Sequence, residues 1–148
     1  MTSERALQTA TALMLKFADR TGLRQPHSTP SRYLWTDAFA VCNFLALHRQ
    51  TEKNTFLELA LRLVDQVHRV LGRHRTDDRR TGWISGLDEE QGRRHPTSGG
   101  LRIGKKLNER GPGEPFDERL EWDRDGQYYH YLTKWMHALD CLSRVTGD

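Results

Sequence analysis

Acids and aromatic rings are concentrated in one stretch of the chain, EPFDERLEWDRDGQYYHYLTKWMHALD, at residues 114–140. Sugar rings present flat C–H faces that stack on aromatic side chains, and their hydroxyl groups form hydrogen bonds with carboxylates and arginine. This mixture therefore suits a carbohydrate ligand well. The alternative interpretation is a charged loop followed by a buried helix.

The candidates for ligand contact lie at the starts of apolar helical patterns or in a long polar segment. They are Trp35, Trp83, Trp122, Tyr128, Tyr129, His130, Arg102 and Lys105. For Trp35 and Trp135 a core role is favoured over stacking on a ligand. Trp122 is flanked by two acids in a polar loop, so a ligand role and a structural role are about equally natural there.

The candidate catalytic residues are Asp37, Glu121 and Asp123. Glycoside hydrolysis needs two carboxyl groups about 5–9.5 Å apart across the scissile bond. Because Glu121 and Asp123 are two residues apart, they seldom point at one substrate atom, and a second acid must come from elsewhere. Asp37 is the acid within an apolar helical pattern, where burial is costly unless the acid is paired or functional. A salt bridge to an arginine is at least as natural a role.

No cofactor and no metal are predicted. His130 and His137 lie seven residues apart, and we interpret them as lacking a cysteine or acid at ligand spacing. The segment GGLRIGK does not match a phosphate-binding loop, because Lys106 rather than Ser or Thr follows Lys105.

Four helical patterns position these candidates, at residues 4–20, 32–50, 52–71 and 127–145. The first and third are amphipathic, whereas the second and fourth are apolar nearly all round, which predicts an outer, inner, outer, inner order. A long loop, residues 73–125, interrupts the single predicted domain, residues 1–148. Its segments TGWISGL and SGGLRIGKKL are candidates for a short β-hairpin.

The two apolar patterns resemble each other. Both end in Leu-x-Arg-x-Thr, at residues 47–51 and 142–146, and Tyr33 and Tyr128 stand at matching places near their starts. A repeat array that stops after an inner helix leaves an apolar face uncovered. We therefore expect part of a longer array, or self-association through the flank of the fourth helix that carries Met136, Leu139 and Leu142.

The alternation, the short links TEKN and TGD, and the stretches RYLWTDAFAV and QYYHYLTKWMHALD resemble the six-hairpin glycosidase-like (α/α) toroid superfamily. The resemblance implies an all-α fold of antiparallel hairpins, with a site in the funnel between inner helices and long loops. It also implies glycoside hydrolase-like or sugar epimerase-like chemistry. No specific catalytic motif of that superfamily matches, so none of its residue roles is carried over. The chain resembles an N-terminal fragment or truncated member.

Charge and composition restrict the classes of binding partner that this chain can have. The chain has a pI near 9.1, but residues 73–125 hold equal numbers of acidic and basic side chains, so nucleic acid is disfavoured. No apolar run is long enough to span a membrane, and no secretory signal is seen. Two isolated cysteines favour a cytoplasmic location. Alternatives to a carbohydrate-active protein are a helical-repeat interaction module and, less favoured, an arginine-rich nucleic-acid accessory protein.

Overall fold

The computed structural model describes residues 3–25 and 30–148, and within them it contains six α-helices. They are α1 (Ser3–Arg20), α2 (Leu34–Thr51), α3 (Asn54–Leu71), α4 (Glu89–Arg94), α5 (Glu118–Glu121) and α6 (Tyr129–Thr146). The four long helices confirm the four predicted from periodicity, with ends displaced by a few residues. No helix of the described chain is long and apolar enough to cross a membrane.

Helix α2 is the centre of the fold. Helix α3 packs along it as the antiparallel arm of a hairpin, after a tight turn at Glu52 (φ 57°). Helix α6 packs along another side of α2, and the two helices run in the same direction. Tyr33 meets Tyr131 where both helices begin, and Cys42 meets Cys141 farther along both. Helix α1 is held more lightly, with Phe17 against Phe44 at a centroid distance of 6.4 Å.

Helices α2 and α6 pack side by side and α3 is amphipathic, both as predicted, but α6 is less buried than α3, contrary to the predicted outer, inner, outer, inner order. On α3, the side chains of Leu63, Val67 and Leu71 are fully buried. On α6, Met136 is 67% exposed and Leu139 is half-buried.

Helix α6 is amphipathic rather than apolar all round, because Lys134, His137 and Asp140 lie on its exposed side. It packs along α2, and its Trp135 forms a hydrogen bond with His68 of α3. The all-α class is confirmed, but the interpretation of α6 as apolar nearly all round is wrong, and its polar side explains why this helix is only partly buried.

The internal repeat is visible in the geometry of α2 and α6. Each helix has 18 residues, follows a tyrosine in extended conformation, and ends at a residue with positive φ (57° and 78°). The hydroxyl of Thr51 donates to the carbonyl of Leu47 at 2.7 Å, and that of Thr146 donates to the carbonyl of Leu142 at 3.1 Å. The Leu-x-Arg-x-Thr sequence therefore ends both helices in the same way.

The segment between α3 and α6 is ordered but contains no strand in any of its residues. The predicted β-hairpin is absent, and the segment forms two isolated bridges instead, antiparallel between Arg73 and Trp83 and parallel between Leu107 and Arg124. The reason is local, because Gly82 and Gly86 both adopt positive φ (78° and 75°) and turn the chain on either side of Trp83.

Residues 101–104 tie the starts of α2 and α6 together. The amide of Leu34 donates to the carbonyl of Ile103 at 3.0 Å, and the amide of Ile103 donates to the carbonyl of Gly126 at 2.8 Å. At Gly104 (φ +88°), an added Cβ would lie 2.2 Å from the carbonyl oxygen of Arg32, so the close approach requires glycine. The N-terminal ends of α2 and α6 consequently lie side by side.

Candidate functional site

Aromatic rings gather where α2 and α6 begin. The hydroxyls of Tyr33 and Tyr131 are 2.6 Å apart. The Trp35 ring lies 5.1 Å from the Tyr131 ring and 6.0 Å from the His130 ring, measured between centroids. Tyr128 completes the group, 6.1 Å from His130. These five residues, together with Lys105 and Trp122 of the long segment, are called the aromatic surface below.

Lys105 connects the long segment to the helix ends. Its Nζ lies 4.8 Å from the centroid of the Trp122 ring and 5.6 Å from that of Tyr33. An ammonium group over the face of a ring is attracted by the ring quadrupole, so Lys105 holds Trp122 beside the helix-borne rings. A second ammonium group, that of Lys134, lies 5.8 Å from the Trp35 ring.

Part of the aromatic surface faces solvent. Trp122 is 77% exposed and Tyr128 is 39% exposed. The candidate Tyr129, at the start of α6, is also exposed but is not one of the rings in contact within this surface. Tyr131 is more enclosed, and burial together with its hydrogen bond to Tyr33 raises its pKa to about 12. Its hydroxyl therefore stays protonated at neutral pH and can donate one hydrogen bond.

The backbone around residue 107 determines the position of Trp122. The amide of Leu107 donates to the carbonyl of Asp123 at 2.8 Å, and the amide of Asp125 donates to the carbonyl of Leu107 at 2.6 Å. Trp122 is thus held beside Lys105, which lies two residues before Leu107. The Asp123 carboxylate is half-buried and has no ion-pair partner among the described residues.

The other two candidate acids are occupied. Glu121 forms a salt bridge with Arg110, with Oε1 and Nε 2.8 Å apart. Asp37 is 1% exposed, accepts a hydrogen bond from the Tyr33 amide at 3.0 Å, and lies 3.5 Å from the guanidinium of Arg32. Burial raises the pKa of Asp37 to about 7, although Arg32 and the Tyr33 amide oppose the shift. The structure therefore does not bring Asp37 to the aromatic surface as a carboxylate open to substrate.

Arg102 and Trp83 also lie apart from the exposed rings, in structural positions. The guanidinium of Arg102 donates to the carbonyls of Arg73 and Val70, each at 2.8 Å, and forms a salt bridge with Asp125. Trp83 is 3% exposed, with the Arg73 guanidinium 4.3 Å from its ring centroid. Neither side chain is free to meet a ligand in this arrangement.

Asp125 is the positioning residue that the sequence did not reveal. Its carboxylate receives salt bridges from Arg75 at 3.2 Å and Arg102 at 2.8 Å, and hydrogen bonds from the amides of Gly104 and Gly126 at 2.7 and 2.9 Å. It was one acid among many in the opening stretch. The one sequence feature that sets Asp125 apart from the other acids is its position directly before Gly126, at the start of the last helical pattern.

Two cysteines and a histidine meet farther along α2 and α6. The ligand atoms of Cys42, His137 and Cys141 lie within 4.8 Å of one another, with Cys141 Sγ 3.5 Å from His137 Nε2. Burial raises the pKa of Cys42 to about 11, and the adjacent Cys141 thiol adds to the shift. The prediction of no metal overlooked Cys141, which follows His137 at the i+4 position on one helix face.

Comparison of the chain with protein-family models, with curated proteins and with solved structures found no match.

Proposed function

We propose that this protein binds a carbohydrate, specifically a sugar acid, at the aromatic surface. The observation that carries the proposal is the position of the Lys105 ammonium between the exposed Trp122 ring and the Tyr33 ring, where α2 and α6 begin. Stacking rings and a cation in one place are what a ring-shaped anionic ligand requires.

Each part of the surface has a role in this proposal. Trp122 and Tyr128 supply open faces for the C–H side of a sugar ring, and Lys105 pairs with its carboxylate. Tyr128, the N-cap residue of α6, makes no side-chain capping hydrogen bond, so the positive end of that helix dipole adds to the attraction for an anion. Asp123 offers acceptor oxygens to the sugar hydroxyls.

Binding is better supported than turnover. Hydrolysis requires two carboxyl groups on opposite sides of one bond. Of the three candidates, Asp37 is enclosed with Arg32 and Glu121 is paired with Arg110, which leaves Asp123. Membership of the (α/α) toroid superfamily is part of the same proposal, supported by the α2–α3 hairpin and the α2/α6 repeat, while the exposure of α6 argues against it.

The test is binding of a panel of neutral sugars and uronic acids, measured by calorimetry on the full chain. Trp122→Ala should weaken binding of all sugars about fivefold, because it removes a stacking face worth about 1 kcal/mol. Phe116→Ala is the matched control, since this exposed ring of the same loop contacts Arg110 rather than Lys105. It should leave affinity unchanged.

Lys105→Met separates charge from stacking, because methionine keeps an apolar side chain of similar length and removes the ammonium. We expect weaker binding of uronic acids and little change for neutral sugars. The proposal fails if no sugar binds the folded chain, or if Trp122→Ala lowers the melting temperature and leaves every ligand response unchanged.

A helical-repeat interaction module is the second candidate, and the exposure of α6 favours it. Tyr129 and Met136, seven residues apart on the same side of that helix, are exposed, and an uncovered apolar patch is typical of an interaction surface. A silent sugar panel together with concentration-dependent association would favour this candidate.

Nucleic acid is the least supported partner. Basic side chains of the long segment pair with acids of the same segment, including Arg75 and Arg102 with Asp125 and Arg110 with Glu121. Paired arginines release few counterions on meeting a phosphate backbone. A steep salt dependence of heparin retention would contradict this assignment.

A further inference from the structure

Cys42, His137 and Cys141 form a cluster that the proposed sugar site does not use. Cys42 comes from α2, whereas His137 and Cys141 are one helical turn apart on α6, so the parallel packing of the two helices brings the three together. Among the described residues, this is the one place where three side chains of the metal-ligating types Cys, His, Asp or Glu converge.

The spacing of the ligand atoms matches a tetrahedral site. With Zn–S bonds of about 2.3 Å and Zn–N bonds of about 2.0–2.1 Å, a sulfur and a nitrogen ligand are about 3.5 Å apart, and two sulfurs about 3.8 Å. Cys141 Sγ and His137 Nε2 are 3.5 Å apart, and no pair in the cluster exceeds 4.8 Å. The largest separation exceeds the tetrahedral sulfur–sulfur distance by at most about 1 Å, so the side chains must move by that amount to close on an ion.

The cluster is also reachable from solvent. His137 is exposed and both cysteines are half-buried, in a shallow groove between α2 and α6. Arg49, Arg144 and Val145 border the groove on one side, and Phe39 and Lys134 on the other. Three protein ligands and an open fourth side are typical of zinc sites that keep a water or an external ligand.

We propose that Cys42, His137 and Cys141 bind a zinc ion, with the fourth position open to water or an external ligand. Two thiolates and an imidazole are the donors that zinc prefers, and the ion displaces both thiol protons into solvent as it binds. Because the site joins α2 to α6, bound zinc strengthens the contact of α6 with the centre of the fold.

The experiment uses the full chain, reduced with a phosphine, stripped of metal by a chelator, and titrated with Co²⁺ and then Zn²⁺. We expect one equivalent of Co²⁺ to produce a sulfur-to-cobalt charge-transfer band and tetrahedral visible bands, both lost when Zn²⁺ displaces it. Zn²⁺ should also raise the melting temperature.

Substitutions identify the ligands. Cys42→Ser, Cys141→Ser and His137→Gln should each weaken Zn²⁺ binding at least about a hundredfold, because even partners outside the first coordination sphere contribute about 10–100-fold. His95→Gln is the control, since His95 is exposed and lies after α4. The His95→Gln variant should bind Zn²⁺ with the same affinity as the wild type. His137→Gln alters an exposed side chain, so it keeps the test valid if a serine variant fails to fold.

Two results would overturn the proposal. One is the absence of a sulfur-to-cobalt band in the reduced, folded chain, or a band that His137→Gln leaves intact. The other is a chain that binds neither metal when reduced but forms a Cys42–Cys141 disulfide on oxidation, detected as the loss of two hydrogens by mass spectrometry. That outcome would assign the cluster to thiol chemistry.

Discussion

Asp125 shows how a single residue can organise a long segment. Its carboxylate is 1% exposed, and it joins the arginines of two distant turns to the backbone just before α6. Buried ion pairs contribute modestly to stability when intact, but removing one partner leaves the other charge uncompensated. Asp125 thereby holds residues 101–107, and with them Lys105, next to the helix ends.

We predict that Asp125→Ala lowers the free energy of unfolding by about 3 kcal/mol, since Arg75 and Arg102 lose their shared partner. Asp77→Ala is the comparison, because Asp77 also pairs with Arg75 but is largely exposed. Its removal should change stability by less than about 1 kcal/mol. Urea denaturation measures both variants, and equal effects would contradict the assigned role.

His68 is a pH-sensitive residue in the core. The Nε1–H of Trp135 donates to His68 Nε2 at 3.1 Å, which requires a neutral imidazole, and burial lowers the pKa of His68 below its usual 6.5. The unfolded chain therefore binds the proton more readily than the folded chain. The resulting stability is present above pH 6.5 and is lost as the pH falls through the lower folded-state pKa.

We predict that the wild type loses more stability than His68→Gln between pH 8 and pH 5. Glutamine can still accept the hydrogen bond from Trp135 but does not titrate. The difference between the two denaturation curves cancels the contributions of other groups, among them Asp37, whose raised pKa acts in the opposite direction. Parallel pH profiles for the two proteins would rule out His68 as the cause.

At the scale of elements, the short helix α4 covers the indole ring of Trp83. A Cβ added at Gly92 would lie 2.2 Å from the Trp83 ring, and Asp88 caps the helix by accepting a hydrogen bond from the Gln91 amide. The glycine lets the helix backbone lie directly on the indole. This contact, rather than a β-hairpin, gives the middle of the long segment its local core.

We predict that Gly92→Ala destabilises the protein by about 2 kcal/mol, because overpacking against Trp83 outweighs the better helix propensity of alanine. Gly111→Ala is the control, since the nearest group to an added Cβ there is the Glu114 carboxylate, 3.8 Å away. It should be neutral within about 0.5 kcal/mol. A neutral Gly92→Ala variant would show that α4 can move off the ring.

At the scale of the whole molecule, the exposed side of α6 leaves apolar surface open to a second molecule. The flank predicted to drive association was Met136, Leu139 and Leu142. The structure places Leu142 in the core, leaves Leu139 half-buried, and exposes Met136. The apolar area open to a second molecule is therefore smaller than the sequence indicated and is centred on Met136.

We predict that the chain self-associates weakly through this side of α6, and that Met136→Lys shifts it toward monomer in sedimentation experiments. Leu13→Lys is the matched variant, because Leu13 is equally exposed but lies on α1. It should not change the association. A compact monomer at all concentrations, with a sharp melt and no dye binding, would refute the prediction.

Local pattern alone determined the helices of this protein. Helical periodicity depends on neighbours within two turns, so the extents of α1, α2, α3 and α6 could be predicted from the sequence. The Leu-x-Arg-x-Thr endings predicted the likeness of α2 and α6 for the same reason, since each threonine bonds within its own helix.

Contacts between distant residues were decided by the tertiary structure. The deeper burial of α3 than of α6 depends on contacts between separate helices. The convergence of Cys42 with His137 and Cys141 likewise joins residues of α2 and α6. Residue type shows that an acid or thiol can react, but its partner depends on which helix faces pack together. That packing is a property of the assembled core, because many packings satisfy the same local pattern.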